Sequence, residues 1–383
     1  MVKLMLDGFQ HAARGMEPNL RVFHVDAKLS SNLEAIGKFQ FWKVFRLLVY
    51  CAQAYFHRFV NRADIFYYVP APGLRAAVYR DWIVMFFCRP VFRKIVFHWH
   101  AAGLAEWLDT SASEWERKIT HWLLDDADLS IVLSDFSQDD AKRFSPRKIE
   151  VVQNGIPDPC PDFEASVLPD RQERLRRRCE QTQTTFGVLF VGACTAAKGL
   201  FATLDAIALI NQRFNAQRIP VSIRLTVAGD FVSPEERQQF QDRIARSDLN
   251  GPVHSANARQ PVRYEGFVAS EAKNKIFRQA DCLCFPTHYS AEGQPVTILE
   301  AVAFGLSVMA TRWRGIPDLL GGSGSRLIDS QDPAAIADAL GELMKSDVAT
   351  INRRIFLTRY SIDKFIDGIT QVLLGIDQAD RRR

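Results

Sequence analysis

Residues 280–320 read ADCLCFPTHYSAEGQPVTILEAVAFGLSVMATRWRGIPDLL, and their order of apolar and polar runs decides the fold class. Cys282 to Phe285 is a short apolar run closed by Pro286, long enough for a buried strand and too short for a helix. A polar loop follows, Thr287 to Gln294. Pro295 then stands where helices accept proline, at the first turn, and Ile298, Leu299, Val302, Ala303 and Leu306 recur at helical intervals. Gly305 ends that helix, and Ser307 to Ala310 reads as the next strand. Strand, crossover helix and strand is the unit of a parallel sheet. In such sheets anions bind where a strand's carboxyl end meets the next helix, because the first helical N–H groups have no partner there.

Two carboxylates bracket that junction, Glu292 in the loop and Glu300 in the helix. A carboxylate accepts two hydrogen bonds from vicinal hydroxyls, and a helix N-terminus takes an anion. The pair suits a ligand with hydroxyls at both ends and phosphates between, the layout of a sugar nucleotide. Spacing alone leaves the solvated-helix reading of these glutamates open.

At 383 residues the chain is comfortable for two domains. Its seven cysteines are scattered and form no C-x-x-C, so they read as reduced thiols and neither a disulfide frame nor a zinc site. No metal site and no cofactor are expected. No secretory signal opens the chain and no uninterrupted apolar run of about eighteen residues appears, which suggests a cytoplasmic protein. The net charge of +4 is uneven: residues 1–100 hold fourteen Lys or Arg and six Asp or Glu. A basic first half rich in aromatic residues suits peripheral contact with the inner face of an anionic membrane, a basic cleft for a phosphorylated substrate, or scatter.

Taken in order, the chain starts with a helical pattern to about Ala13, then a strand at Leu20 to Val25. Doubly wound domains open with a strand and a glycine-bearing loop. Neither precedes the first helix here, so a first strand is expected to be missing from the sheet centre. Lys38 to Val60 is an amphipathic helix, Asp64 to Val69 a strand, and Leu74 to Phe87 a helix. Arg93 to His98 is the next strand and ends in HWHAAGL, with His98 and His100 at the carboxyl end where ligand-contacting residues lie. Alternation points both histidines to one side. A pair of loop-packing histidines is the plain alternative. Asp126-Ala127-Asp128 spells D-x-D but precedes its strand, so helix-end polar residues fit better. Residues 159–180 are proline-bearing and then strongly basic, which suits an exposed linker, and no motif supports nucleic-acid binding.

The second domain opens with Phe186 to Val191, a turn at Gly192, and Lys198-Gly199 leading into a helix from Leu200. A glycine-bearing strand-to-helix loop that presents a lysine has the form of a diphosphate cradle. Ile223 to Ala228 and Val262 to Phe267 are further strands, and Asp332-Pro333 is an N-cap and first-turn proline.

EGQPVTILEA followed by GLSVMATRWRGIPDLL resembles the E-x7-E region of the retaining GT4 glycosyltransferases, and FVGACTAAKG resembles their phosphate loop, with Ala193 where an arginine is usual. Asn154-Gly155-Ile156-Pro157 resembles the turn closing their first domain. The resemblance implies the α/β GT-B fold, two Rossmann-like doubly wound domains facing across a cleft. It divides the chain into a first domain over 1–165, a basic linker over 166–183, a nucleotide-sugar domain over 184–357, and a final helix over 358–383 that packs back on the first domain. It implies sugar transfer from a nucleotide-diphosphate donor to a saccharide or lipid-linked acceptor in bacterial surface polysaccharide or glycolipid synthesis, without metal. On it, Glu300 holds the ribose, and Glu292 and His100 lie by the donor sugar. Lys198, Gly192 and the Gly293, Gln294, Pro295, Val296 and Thr297 backbone serve the diphosphate, and Gly266 lets the base approach. A degenerate binding subunit and a sugar-nucleotide epimerase of similar fold are the alternatives.

Overall fold

The computed structural model describes residues 5–6, 8–9, 20–27, 41–180, 184–246, 249 and 261–381. The chain forms two compact units: 1–154 with 290–294 and 362–383, and 155–289 with 295–361.

In the first unit four parallel strands run β1 (Ile65–Tyr68), β2 (Lys94–Trp99), β3 (Leu129–Val132) and β4 (Ile149–Val151), neighbours in that order. Helices α1 (Phe41–Phe59), α2 (Arg75–Cys88), α3 (Leu104–Thr110), α4 (Glu114–Leu124) and α5 (Gln138–Lys142) flank them. β2 is buried on both faces, which is why it reads as an unbroken apolar run. Ile95, Phe97 and Trp99 face the cluster of α1, α2 and α4, while Val96 meets Leu129 and Ile131 on the other side. Asp128 of the D-x-D spelling accepts from the Ile95 backbone and pairs with Lys94 and Arg147, so it joins strands.

The second unit holds β5 (Thr184–Val191), β6 (Val221–Ala228), β7 (Val262–Tyr264), β8 (Cys282–Phe285), β9 (Ser307–Thr311) and β10 (Arg326–Ile328). Its helices are α6 (Leu168–Cys179), α7 (Leu200–Ala216), α8 (Pro234–Ile244), α9 (Ser270–Gln279), α10 (Val296–Ala303), α11 (Ile316–Leu319), α12 (Pro333–Leu343) and α13 (Ala349–Ile355). The sheet order is β7-β6-β5-β8-β9-β10, all parallel. From β5 the chain winds outward through β6 and β7, then returns to the other side of β5 and winds outward again. That reversal creates a switch point between β5 and β8. The final helix α14 (Ile362–Arg381) belongs to the first unit, where Phe365, Ile366 and Ile369 cover Val96, Leu129 and Ile131.

Several expectations change. Residues 20–27 form no strand; Phe23 stacks on the His57 ring of α1, 5.0 Å between centroids, and Val22 is exposed. Of the opening helix, Met5, Leu6, Gly8 and Phe9 are helical, and Met5 and Phe9 join the α14 cluster; the rest of that stretch lies outside the described residues. The units divide after Asn154, not at 165. The basic stretch at 166–183 contains α6, a helix docked by its arginines. Arg171 donates to the carbonyls of Ala280 and Phe277, and Arg174 and Arg178 pair with buried Asp281. Burial of these guanidiniums, each with an acceptor in reach, explains a composition that reads as solvent-facing.

Asp332 caps α12 through Ala334 and Ala335, and Gly305, at φ 65°, ends α10. Cys282 and Cys284 are buried in β8, and none of the seven cysteines is bridged. Among the described residues no helix is long and apolar enough to cross a membrane.

Candidate functional site

The switch point brings two loops of the second unit together. One leaves β5 through Gly192 and Ala193 to Lys198 and Gly199, where α7 starts; the other leaves β8 through Pro286. The His288 N–H donates to the Ala197 carbonyl at 2.8 Å, and the Gln331 amide bridges the carbonyls of Ala197 and Pro286. Gly199 sits at φ 83°, and a Cβ there would lie 2.4 Å from the Pro286 carbonyl oxygen. Only glycine allows that approach. The Lys198 ammonium lies over the Tyr289 ring at 4.7 Å and the Phe285 ring at 5.6 Å. It is held at the mouth of β8 by cation–π attraction.

After the loop 290–294, the chain of this unit resumes at Pro295. Pro295 is the N-cap of α10, one place earlier than the expected first-turn position, and its φ of −69° with ψ of 114° fits the extended cap geometry. Val296 and Thr297 then open the helix, and their N–H groups precede its hydrogen-bonding ladder. Glu300 lies one turn on. Burial pushes its carboxyl above the usual range, and Lys273 of α9 pulls it back through an ion pair. Lys273 carries no motif, and only the packing of α9 on α10 reveals it. Gly266, at φ 66° beyond β7, accepts from the Gly229 N–H at 2.8 Å. Arg312 pairs with Asp329, and Arg314 lies over the Trp313 ring.

The first unit gathers a second group. β2 carries His98 near its end and His100 follows just past it, their rings 4.0 Å apart on one side as alternation requires. Burial pushes His98 well below the usual imidazole range and His100 down to about 4. Burial likewise raises the Tyr67 phenol, so it stays protonated, and its hydroxyl is hydrogen-bonded to Nδ1 of His98. Nε2 of His98 is buried without a hydrogen-bond partner among the described residues. The loop 290–294 lies against this group. Gly293 packs on the His100 carbonyl so closely that a Cβ would come within 2.1 Å of its oxygen. Gln294 accepts from the Asn154 N–H at 2.6 Å, and Glu292 is buried. Glu292 and Glu300, eight residues apart, thus belong to different units.

Among the described residues no three His, Cys, Asp or Glu side chains cluster as ligands for a metal ion.

Residues 185–346 match the family model described as glycosyl transferases group 1. The match lies in the second unit apart from the loop 290–294. A D-inositol 3-phosphate glycosyltransferase of Corynebacterium jeikeium is 30% identical over 176 residues, 46% of this chain and 39% of that protein. The chain thus spans well under half of that relative. Among solved structures, Anabaena HepE in complex with UDP is similar with a TM-score of 0.62 and 18% identity, over 86% of this chain and 82% of that one. Sucrose-phosphate synthase from Thermosynechococcus elongatus gives 0.65 and 15% over 99% and 93%. At these identities the likeness is one of fold, and the fold is GT-B with two Rossmann-like units.

Proposed function

We propose that the chain is a GT4-type retaining glycosyltransferase that moves a sugar from a nucleotide-diphosphate donor to an acceptor hydroxyl without a bound metal. The observation that carries this reading is the switch point between β5 and β8, where Lys198, the start of α10 and the Lys273-Glu300 pair stand in one unit. A diphosphate leaving group gains negative charge as the sugar carbon becomes oxocarbenium-like. Lys198 and the N–H groups of Val296 and Thr297 would stabilise that charge. Glu300 would accept from the ribose hydroxyls, and Gly266 would leave room for the base. Gly192 and the Gly293-Gln294 backbone would border the diphosphate, with Glu292 and His100 orienting the donor sugar.

The acceptor in this reading is a saccharide or lipid-linked hydroxyl of surface polysaccharide or glycolipid synthesis, met at the inner face of a membrane. UDP in the similar HepE structure makes uridine nucleotides the first donors to test. The test is a thermal-stabilisation screen of UDP- and GDP-sugars, followed by assays of donor hydrolysis and transfer with the hits. Stabilisation by one sugar nucleotide and its turnover are expected. Binding without turnover of any donor would favour the degenerate subunit, a reading motivated by Ala193 in place of a second cation. No binding at all would remove both.

A further inference from the structure

The first unit turns a band of aromatic side chains to solvent across three helices. On α4, Trp115 and Trp122 stand seven residues apart, on one helical face, and are 53% and 67% exposed. Phe86 of α2, 55% exposed, meets the Trp122 ring at 6.2 Å and the neighbouring Phe87 ring at 5.2 Å. Tyr55 of α1 donates to the Phe87 carbonyl at 2.7 Å and touches the ring of Phe59, itself 66% exposed. These contacts link exposed rings of α1, α2 and α4. Clustered exposed rings of this kind mark interaction surfaces on soluble monomers.

Charge points to the occupant. Residues 41–93 hold eight Lys or Arg against two Asp. Both acids are engaged: Asp81 is buried and bonded to Arg80 and Tyr68, and Asp64 pairs with Arg58 and Arg93. On α4, Lys118 is exposed between the two tryptophans, and Glu116 is buried under Arg75 and Tyr79, leaving Glu114 at the helix start. Bulky rings interspersed with cations match the headgroup layer of a bilayer, where tryptophan rings settle and anionic headgroups attract lysine and arginine.

We propose that the face formed by Phe59, Phe86, Phe87, Trp115 and Trp122 docks on an anionic lipid bilayer. This deepens the membrane-facing part of the proposed function and rests on that reading only for what the docked protein does there. The band lies on the outer helices, on the opposite side of the sheet from the α14 cluster. Docking would leave α14 and the side of β2 that carries His98 off the lipid.

The test is co-sedimentation of the full chain with phosphatidylcholine vesicles, with and without phosphatidylglycerol. Binding to the phosphatidylglycerol vesicles is expected, weakened by added salt. The double variant Phe86→Ser/Trp122→Ser should bind about tenfold more weakly or worse, since two interfacial rings are lost. Its melting temperature and its stabilisation by the donor should stay unchanged. Should that variant fail to fold, the exposed charge reversal Lys118→Glu supplies the same comparison. Wild-type protein that stays in the supernatant, or variants that bind as well as wild type, overturns the proposal. A concentration-dependent dimer dispersed by the same substitutions also overturns it and assigns the face to a second copy. Vesicle binding with no sugar nucleotide bound would instead count against the glycosyltransferase reading alone.

Discussion

Lys273 of α9 forms an ion pair with Glu300 of α10, in a pocket where burial otherwise pushes the glutamate toward its neutral form. To accept from two ribose hydroxyls, the role proposed for it, Glu300 must be ionised. Replacing Lys273 by Met removes the ion pair that lowers the Glu300 pKa, so more of the protein carries the neutral acid at a given pH. The expected result is a donor KM that rises as the pH is lowered and recovers as it is raised, with kcat little changed. Lys273→Arg should retain most of the affinity. A KM that rises equally at every pH would mean that the pair only holds the helices together.

In the proposed reaction Lys198 would act on the leaving group and not on the ribose. Its ammonium is held over the Tyr289 and Phe285 rings at the end of β8. Lys198→Ala should therefore lower kcat by about 10²–10³, the usual cost of one lost donor to a developing anion, while donor binding changes less. Isothermal titration with the nucleoside diphosphate and single-turnover transfer rates separate the two effects. Equal losses in both would place Lys198 in ground-state binding.

Most of the second unit was legible in the sequence because its signals are local. The strand at Cys282–Phe285, the helix ended by Gly305 and the Asp332-Pro333 cap each depend on a few adjacent residues. What escaped the sequence depends on contacts between distant residues. The arginines of α6 read as a solvated linker because their acceptors, Ala280, Asp281 and Phe277, lie about a hundred positions away. Lys273 carries no local signal for the same reason: its significance is Glu300, and no spacing rule joins them. The strand expected at Leu20–Val25 failed in the other direction, since an apolar stretch satisfied the local pattern without a sheet partner.

Gly293 and His100 make a testable contact within the first unit. Gly293→Ala would press a methyl group into the His100 carbonyl, so the loop bearing Glu292 must shift. Overpacking of this kind costs about 1–3 kcal/mol, and a drop in transfer rate of tenfold or more is expected with the fold retained. His100 itself stays neutral well below pH 7 because burial holds its pKa down to about 4. The rate should accordingly show no step between pH 6 and 7 that His100→Gln abolishes. Such a step would mean that the imidazole is more open to water than its packing implies.

Glu116 gives a prediction about stability that is independent of function. Burial works to raise its pKa, but Tyr79, Arg75 and the Ser113 backbone and hydroxyl all donate to it and hold the carboxyl at about 2. Its ordinary value is 4.5. Because the folded pKa is depressed, the stabilisation is fully present above about pH 4.5 and is lost as the pH falls from there toward 2. Glu116→Gln should lower the melting temperature by a few degrees at pH 7. The gap between variant and wild type should close progressively as the pH is lowered through that window, followed by circular dichroism. The four donors come from α2 and from the start of α4, two of the helices that carry the aromatic face. A gap that persists unchanged at low pH would show that shape, not charge, holds the carboxyl between them.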